Sequence, residues 1–171
     1  MTSGSPPVPK APRDRTAEPA IDGVEIRWLR PIVDHRGSLT ELLDVRDDFW
    51  REPIVYAYAV MIGPGRIKGW GMHELQTDRY HVAAGNLRVV LHDGRAQSPT
   101  SGRFQILNFS DAARGLVRIP PGVWHADQNW GADDALIVNY PTRPFDHENP
   151  DKFRIDPHSG EIPFDWSLPD R

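Results

Sequence analysis

From Val24 onward the chain is a succession of short β-rich runs, one about every ten residues, with a turn signal between each pair. The runs are Glu25–Leu29, Leu39–Leu43, Ile54–Met61, Arg79–Ala84, Asn86–His92, Phe104–Phe109, Leu116–Ile119, Ala126–Asn129 and Ala135–Tyr140. Between them stand Asp34-His-Arg-Gly37, Gly63-Pro-Gly65, Ala84-Gly85-Asn86, Asp93-Gly94, Ser98-Pro-Thr-Ser-Gly102 and Pro120-Pro-Gly122. Runs of that length and spacing predict an all-β sandwich or barrel. No long stretch carries a 3.6-residue apolar period, so helix is expected to be scarce, with one turn at most over Asp47–Arg51.

The two ends read differently. Residues 1–20 are rich in Pro, Ser and charge and offer almost nothing to bury, which predicts a disordered tail before a single domain over 21–171. The stretch after Pro141 is irregular, yet Phe145, Phe153, Ile155, Ile162, Phe164 and Trp166 are too apolar for a free tail. It is expected to wrap the barrel.

Composition excludes several function classes. No apolar run is long enough to span a bilayer, and no hydrophobic signal stretch opens the chain. Cysteine is absent, so neither disulfides nor thiolate chemistry are available. These features lead to the expectation of a cytoplasmic protein without a membrane partner. Lys and Arg number 20 against 24 Asp and Glu, dispersed along the chain, and no basic stripe suits a nucleic-acid backbone.

The segment Gly115-Leu-Val-Arg-Ile-Pro120-Pro-Gly122-Val-Trp-His125-Ala-Asp-Gln-Asn129 resembles the second cupin motif, a Pro-x-Gly turn followed after two residues by His and then by Asn. The turn reverses the chain at a barrel rim, and strand alternation then directs His125 inward. An upstream counterpart lies around Gly71-Met-His73, with Gly85 further on, although Leu75 and Tyr80 occupy two of its usual ligand positions. The fold expected from this resemblance is a double-stranded β-helix, the cupin jelly roll.

Within the cupins the chain resembles the dTDP-4-dehydrorhamnose 3,5-epimerase family. Asp34-His-Arg36-Gly37 with Glu41, then Asp93-Gly-Arg95-Ala-Gln-Ser98-Pro-Thr100-Ser-Gly102, Ile119-Pro-Pro-Gly-Val-Trp-His125, Tyr140-Pro-Thr142, Asp156-Pro157 and Asp165-Trp166 follow that family's order and spacing. The resemblance implies a homodimer that binds a nucleotide-linked 4-keto sugar without a cofactor. It puts the base at His73 and the acid at Tyr140, with Arg36, Glu41 and His125 as substrate-binding candidates. Nearness in sequence adds Trp70, and also Lys68 and Arg79, which are equally readable as diphosphate-binding cations or as solvated surface charges. Three positions depart from the pattern. Trp70-Gly71-Met72-His73 lacks the Arg that meets the diphosphate, Asp78 stands where a Lys is usual, and only Asp170 remains in the region of the acid that orients the base.

Two rival readings use the same residues. A metal-dependent cupin enzyme would employ His73, His125 and an acidic group such as Glu74 or Asp78. Against it, a His-x-His pair is missing and alternation turns Glu74 away from His73, so a metal-free site is expected. A non-catalytic sugar-binding cupin would fit the lost cations. Trp28, Trp50, Trp130 and Trp166 are expected to pack. Trp70 and Trp124, each within three residues of a site histidine, are candidates to stack on a sugar or base face, with packing the favoured reading. His35, His92, His147 and His158 are expected to be solvated.

Overall fold

The computed structural model describes residues 21–167; the tail expected over 1–20 and the candidate Asp170 lie outside the described residues. The strands are β1 (Glu25–Trp28), β2 (Ile32–Asp34), β3 (Gly37–Leu39), β4 (Tyr58–Ile62), β5 (Ile67–Met72), β6 (Asp78–Ala84), β7 (Leu87–Asp93), β8 (Phe104–Phe109), β9 (Gly115–Ile119), β10 (Val123–Asn129), β11 (Ala135–Asn139) and β12 (Phe153–Arg154). All pairings among them are antiparallel. Two five-stranded sheets, ordered β1-β9-β6-β11-β4 and β12-β5-β10-β7-β8, face each other as the jelly roll, and β2-β3 forms a separate hairpin. The helical element among the described residues is a 3-10 turn at Asp48–Trp50, capped by the Asp47 carboxylate accepting from Phe49 N–H at 2.9 Å.

Two expectations are corrected. Strand β5 went unread, because Ile-Lys-Gly-Trp-Gly-Met breaks apolar alternation with two glycines. The run Leu39–Leu43 is a strand only at its first residue, where β3 ends.

Alternation on each strand sorts the interior from the flanks. Val82, Leu87, Val89, Leu91, Leu107, Phe109, Val117, Ile119 and Ile137 fill the space between the sheets, almost free of solvent. Each such side chain contributes about 1.5–3 kcal/mol by leaving water. The outer face of the first sheet is covered by Phe49 and Trp50, against which Leu29, Leu116 and Tyr140 pack. The outer face of the second receives the C-terminal stretch, where Ile155, Ile162, Phe164 and Trp166 close over Trp70, Val90 and Ala126. Phe145 and Phe153, expected to wrap as well, stay exposed.

The Asp93–Gly102 block turns out to hold a loop rather than to line a site. The Asp93 carboxylate, fully buried, accepts from Arg95 Nε at 2.8 Å, Ser98 Oγ at 2.6 Å and Thr100 Oγ1 at 2.6 Å. Burial alone would raise its pKa, but these hydrogen bonds outweigh burial and hold it well below the usual carboxylate range. Asp93→Ala removes the acceptor that these three donors share. It is expected to cost about 3 kcal/mol in urea unfolding at pH 7. Because the folded pKa is depressed, this contribution is complete above the unfolded carboxyl's pKa and fades as pH falls through the folded one. The wild-type advantage over the variant should therefore shrink in acid; an advantage that grows as pH falls would refute the account.

Candidate active site

A cavity of about 560 Å³ opens between the sheets, beside the apolar core. His73, in the turn that leaves β5, His125 on β10 and Tyr80 on β6 line its depth, all at most 6% exposed. Tyr58 on β4 and Asp127 on β10 line its walls, with Gln76 beside them. The exposed side chains of Lys68, Arg143 and Arg154 stand at its mouth, with half-buried Lys152 further in.

The segment before β12 holds His73 in place. The Asp151 carboxylate accepts from the backbone N–H groups of Glu74 at 2.9 Å, Leu75 at 2.9 Å and Gln76 at 3.2 Å. The carbonyl of the same residue contacts His73 Nδ1. A carbonyl only accepts, so Nδ1 carries the hydrogen and the neutral ring presents Nε2 as a bare lone pair. Nε2 has no hydrogen-bond partner and lies 3.5 Å from Asp78 Oδ2.

Asp78 is 1% exposed and stands between the two imidazoles, its Oδ2 also 3.6 Å from His125 Nε2. Its Oδ1 accepts from Gln76 Nε2 at 2.9 Å. The His73 and His125 rings stack with centroids 5.9 Å apart, and Tyr80 meets His125 edge-on. His73, Asp78 and His125 offer donor atoms within 4.8 Å of one another, a set able to hold a divalent cation. Burial, with the positive charge of Lys152 behind it, pushes His125 down to about 4. His125 is therefore neutral at pH 7.

Three further groups set the character of the walls. Asn139 Nδ2 donates to Tyr58 Oη at 2.8 Å, which occupies an oxygen lone pair and leaves the phenol hydrogen for the cavity. Burial, reinforced by the carboxylates of Asp78 and Asp127, raises the pKa of Tyr58, so this phenol keeps its proton. Asp127 is 3% exposed with Oδ1 unpartnered, and burial pushes its carboxyl up to about 8 against the pull of Lys152 and Lys68.

No protein-family model matches the chain. A probable low-salt glycan biosynthesis epimerase of Haloferax volcanii is 33% identical over 150 residues, spanning 87% of this chain and 96% of that protein. The chain belongs to the dTDP-4-dehydrorhamnose 3,5-epimerase family. A spore coat polysaccharide biosynthesis protein of Bacillus subtilis is 32% identical over 153 residues, spanning 86% of this chain and 97% of its own. Among solved structures, a dTDP sugar isomerase of Desulfovibrio desulfuricans superposes with a TM-score of 0.79 at 31% identity, covering 88% of this chain and 94% of its own.

Membership in this epimerase family makes the placement of each expected site residue informative. His73, His125 and Lys68 line the cavity. Tyr140 does not: Asn139 takes the inward position at the end of β11, and Tyr140 turns outward onto Trp50, rings 5.5 Å apart and nearly perpendicular. Arg79 also leaves by the outer face, donating to the carbonyls of Tyr140, Glu52 and Pro53 and lying over Trp50. Its neighbours Asp78 and Tyr80 take the inward positions. Trp70 contributes to the cavity wall but its ring is 1% exposed and packs among Phe104, Phe164 and Trp166, so it is no stacking platform.

Arg36 sits on the exposed β2-β3 hairpin, bonded to Asp34, and Glu41 borders a separate cavity of about 370 Å³ with Arg27 and Arg30. His92 is not solvated as expected but stacks on Phe104 at 4.5 Å. Alternation from His125 was enough to find Asp127, and Tyr58 lay in a predicted strand. Lys152, Arg143 and Asp151 come from irregular chain with no period to betray them.

Proposed function

We propose that this protein epimerises a nucleotide-linked 4-keto-6-deoxy sugar, with His73 as base and Tyr58 as acid. The observation that carries the reading is the His73 imidazole, fixed as the Nδ1–H tautomer with Nε2 bare in a cavity that also holds a protonated phenol. A ketone acidifies the C–H bonds beside it. His73 Nε2 takes the proton, the C–H electron pair becomes the C=C of an enolate, and the ketone oxygen takes the negative charge. Asp78 Oδ2, 3.5 Å from Nε2, faces the imidazolium so formed and stabilises its charge. Tyr58 then gives its hydroxyl proton to the opposite face of the carbon and the electrons return to the ketone. Solvent reprotonates the phenolate and takes the proton from His73.

Lys68, Arg143 and Arg154 at the mouth suit the diphosphate of a nucleotide and stand in for the Arg displaced by Trp70. The homodimer and a cytoplasmic setting belong to the same reading. Ile32, Val33 and Leu39 on the hairpin and Met61 on edge strand β4 are 58–70% exposed, an apolar surface that suits a second copy. No helix among the described residues is long and apolar enough to cross a membrane.

The reaction is proposed to run without metal, on side chains alone. The test incubates a panel of dTDP- and UDP-linked 4-keto-6-deoxy hexoses with the protein in deuterated water and follows the C3 and C5 protons by NMR. Exchange with at least one member is expected, unchanged after chelator treatment. No exchange across the panel would favour a sugar-binding cupin. Exchange lost on chelation and restored by added metal would favour the metal enzyme built on His73, Asp78 and His125.

A further inference from the structure

We propose that Lys152 is the catalytic cation of this site, the group that meets the negative charge developing on the ketone oxygen; the inference rests on the epimerase reading above. Proton removal beside a ketone is only as fast as the enolate oxygen is stabilised, and a pre-placed cation away from water is the strongest means of doing so. The buried charged side chain beside the base, Asp78, has the wrong sign for that task. Tyr58 is committed to the proton return, and neutral His125 offers one N–H without charge.

Lys152 answers the need by position. A Cβ placed on Gly71 would lie 3.2 Å from His125 Nε2 and 3.4 Å from Lys152 Nζ. The two nitrogens thus both border one small space above a residue with no side chain. The ammonium is half-buried, and among the described residues no carboxylate lies within ion-pair distance of it. An ordinary surface lysine would be solvated, and a structural one would be paired.

The amine is held there by the segment that also orients the base. Asp151 takes the three N–H groups after His73 and its carbonyl takes His73 Nδ1–H, while β12 pairs Phe153 with Met72 and Arg154 with Gly71. Residues 151 and 152 therefore deliver base orientation and oxyanion charge together.

The experiment compares wild type, Lys152→Met, Lys152→Arg and Gly71→Ala in the deuterium-exchange assay, with calorimetric titration of dTDP and thermal melting alongside. Removing one oxyanion donor is typically worth about 10²–10³ in rate. Lys152→Met is expected to lose that much in kcat for exchange, with dTDP affinity within about three-fold of wild type. Lys152→Arg, which keeps the charge, is expected to recover at least about a tenth of wild-type exchange. Gly71→Ala, whose methyl fills the space, should lose exchange as Lys152→Met does while melting like wild type.

Lys152→Met exchanging within about three-fold of wild type overturns the inference and leaves the epimerase intact. So does a loss of exchange matched by an equal loss of dTDP affinity, which would make Lys152 a diphosphate anchor. A wild type that exchanges no member of the panel overturns the epimerase reading and this role with it.

Discussion

His73→Ala is expected to lower solvent exchange at the carbons beside the ketone by about 10²–10⁴, the usual worth of a positioned general base. The expectation follows from three features of one ring. The Asp151 carbonyl fixes the tautomer, the cavity leaves Nε2 without a partner, and Asp78 Oδ2 waits 3.5 Å away for the charge the ring acquires. Removing the ring deletes the acceptor without emptying the apolar core, which lies on other residues, so melting should change little. His125 cannot replace it. Burial holds its pKa near 4, and a weakly basic imidazole is a poor acceptor for a carbon-bound proton. For the same reason His125 should add no step to the pH profile of exchange between about pH 5 and 8. Undiminished exchange in His73→Ala would move the base elsewhere, and a step near pH 6.5 that disappears in His125→Ala would contradict its neutrality.

Tyr58→Phe and Tyr140→Phe form the second expected contrast. Tyr58→Phe should abolish inversion, by about 10² or more, while leaving proton washout on the original face, since the base survives and the donor does not. Tyr140→Phe should stay within about three-fold of wild type, because its ring packs on Trp50 behind the sheet. The hydrogen bond from Asn139 Nδ2 sharpens the pair: Asn139→Ala frees Tyr58 Oη and should weaken inversion more than washout. NMR of product formed in deuterated water reads both steps at once. Inversion lost in Tyr140→Phe and kept in Tyr58→Phe would restore the assignment that the sequence suggested.

In the structure a single position turns Tyr140 out of the cavity. Strand side chains alternate faces, so a shift of one position carries a residue from the cavity to the outside of the sheet. Tyr140 follows inward Asn139, as Arg79 follows inward Asp78, and both long side chains end in the same outer layer with Trp50. A motif match fixes position along the chain; it does not fix which face of the strand that position takes.

By itself, the sequence determined the all-β jelly roll, the turn at Gly122 that sets His125 at the start of an inward run, the family, and His73 as the candidate base. These are legible because turn residues and a two-residue period act over a few neighbours. Tertiary structure alone decided that Tyr58 and Tyr80 line the cavity with His73 while Tyr140 does not, and that residues 151–154 return to β5 and bring Lys152 beside His125. Those facts depend on contacts between residues about 80 apart in the chain, such as His73 with Asp151. An irregular segment docks wherever its side chains find burial and partners, and no local period records where that will be.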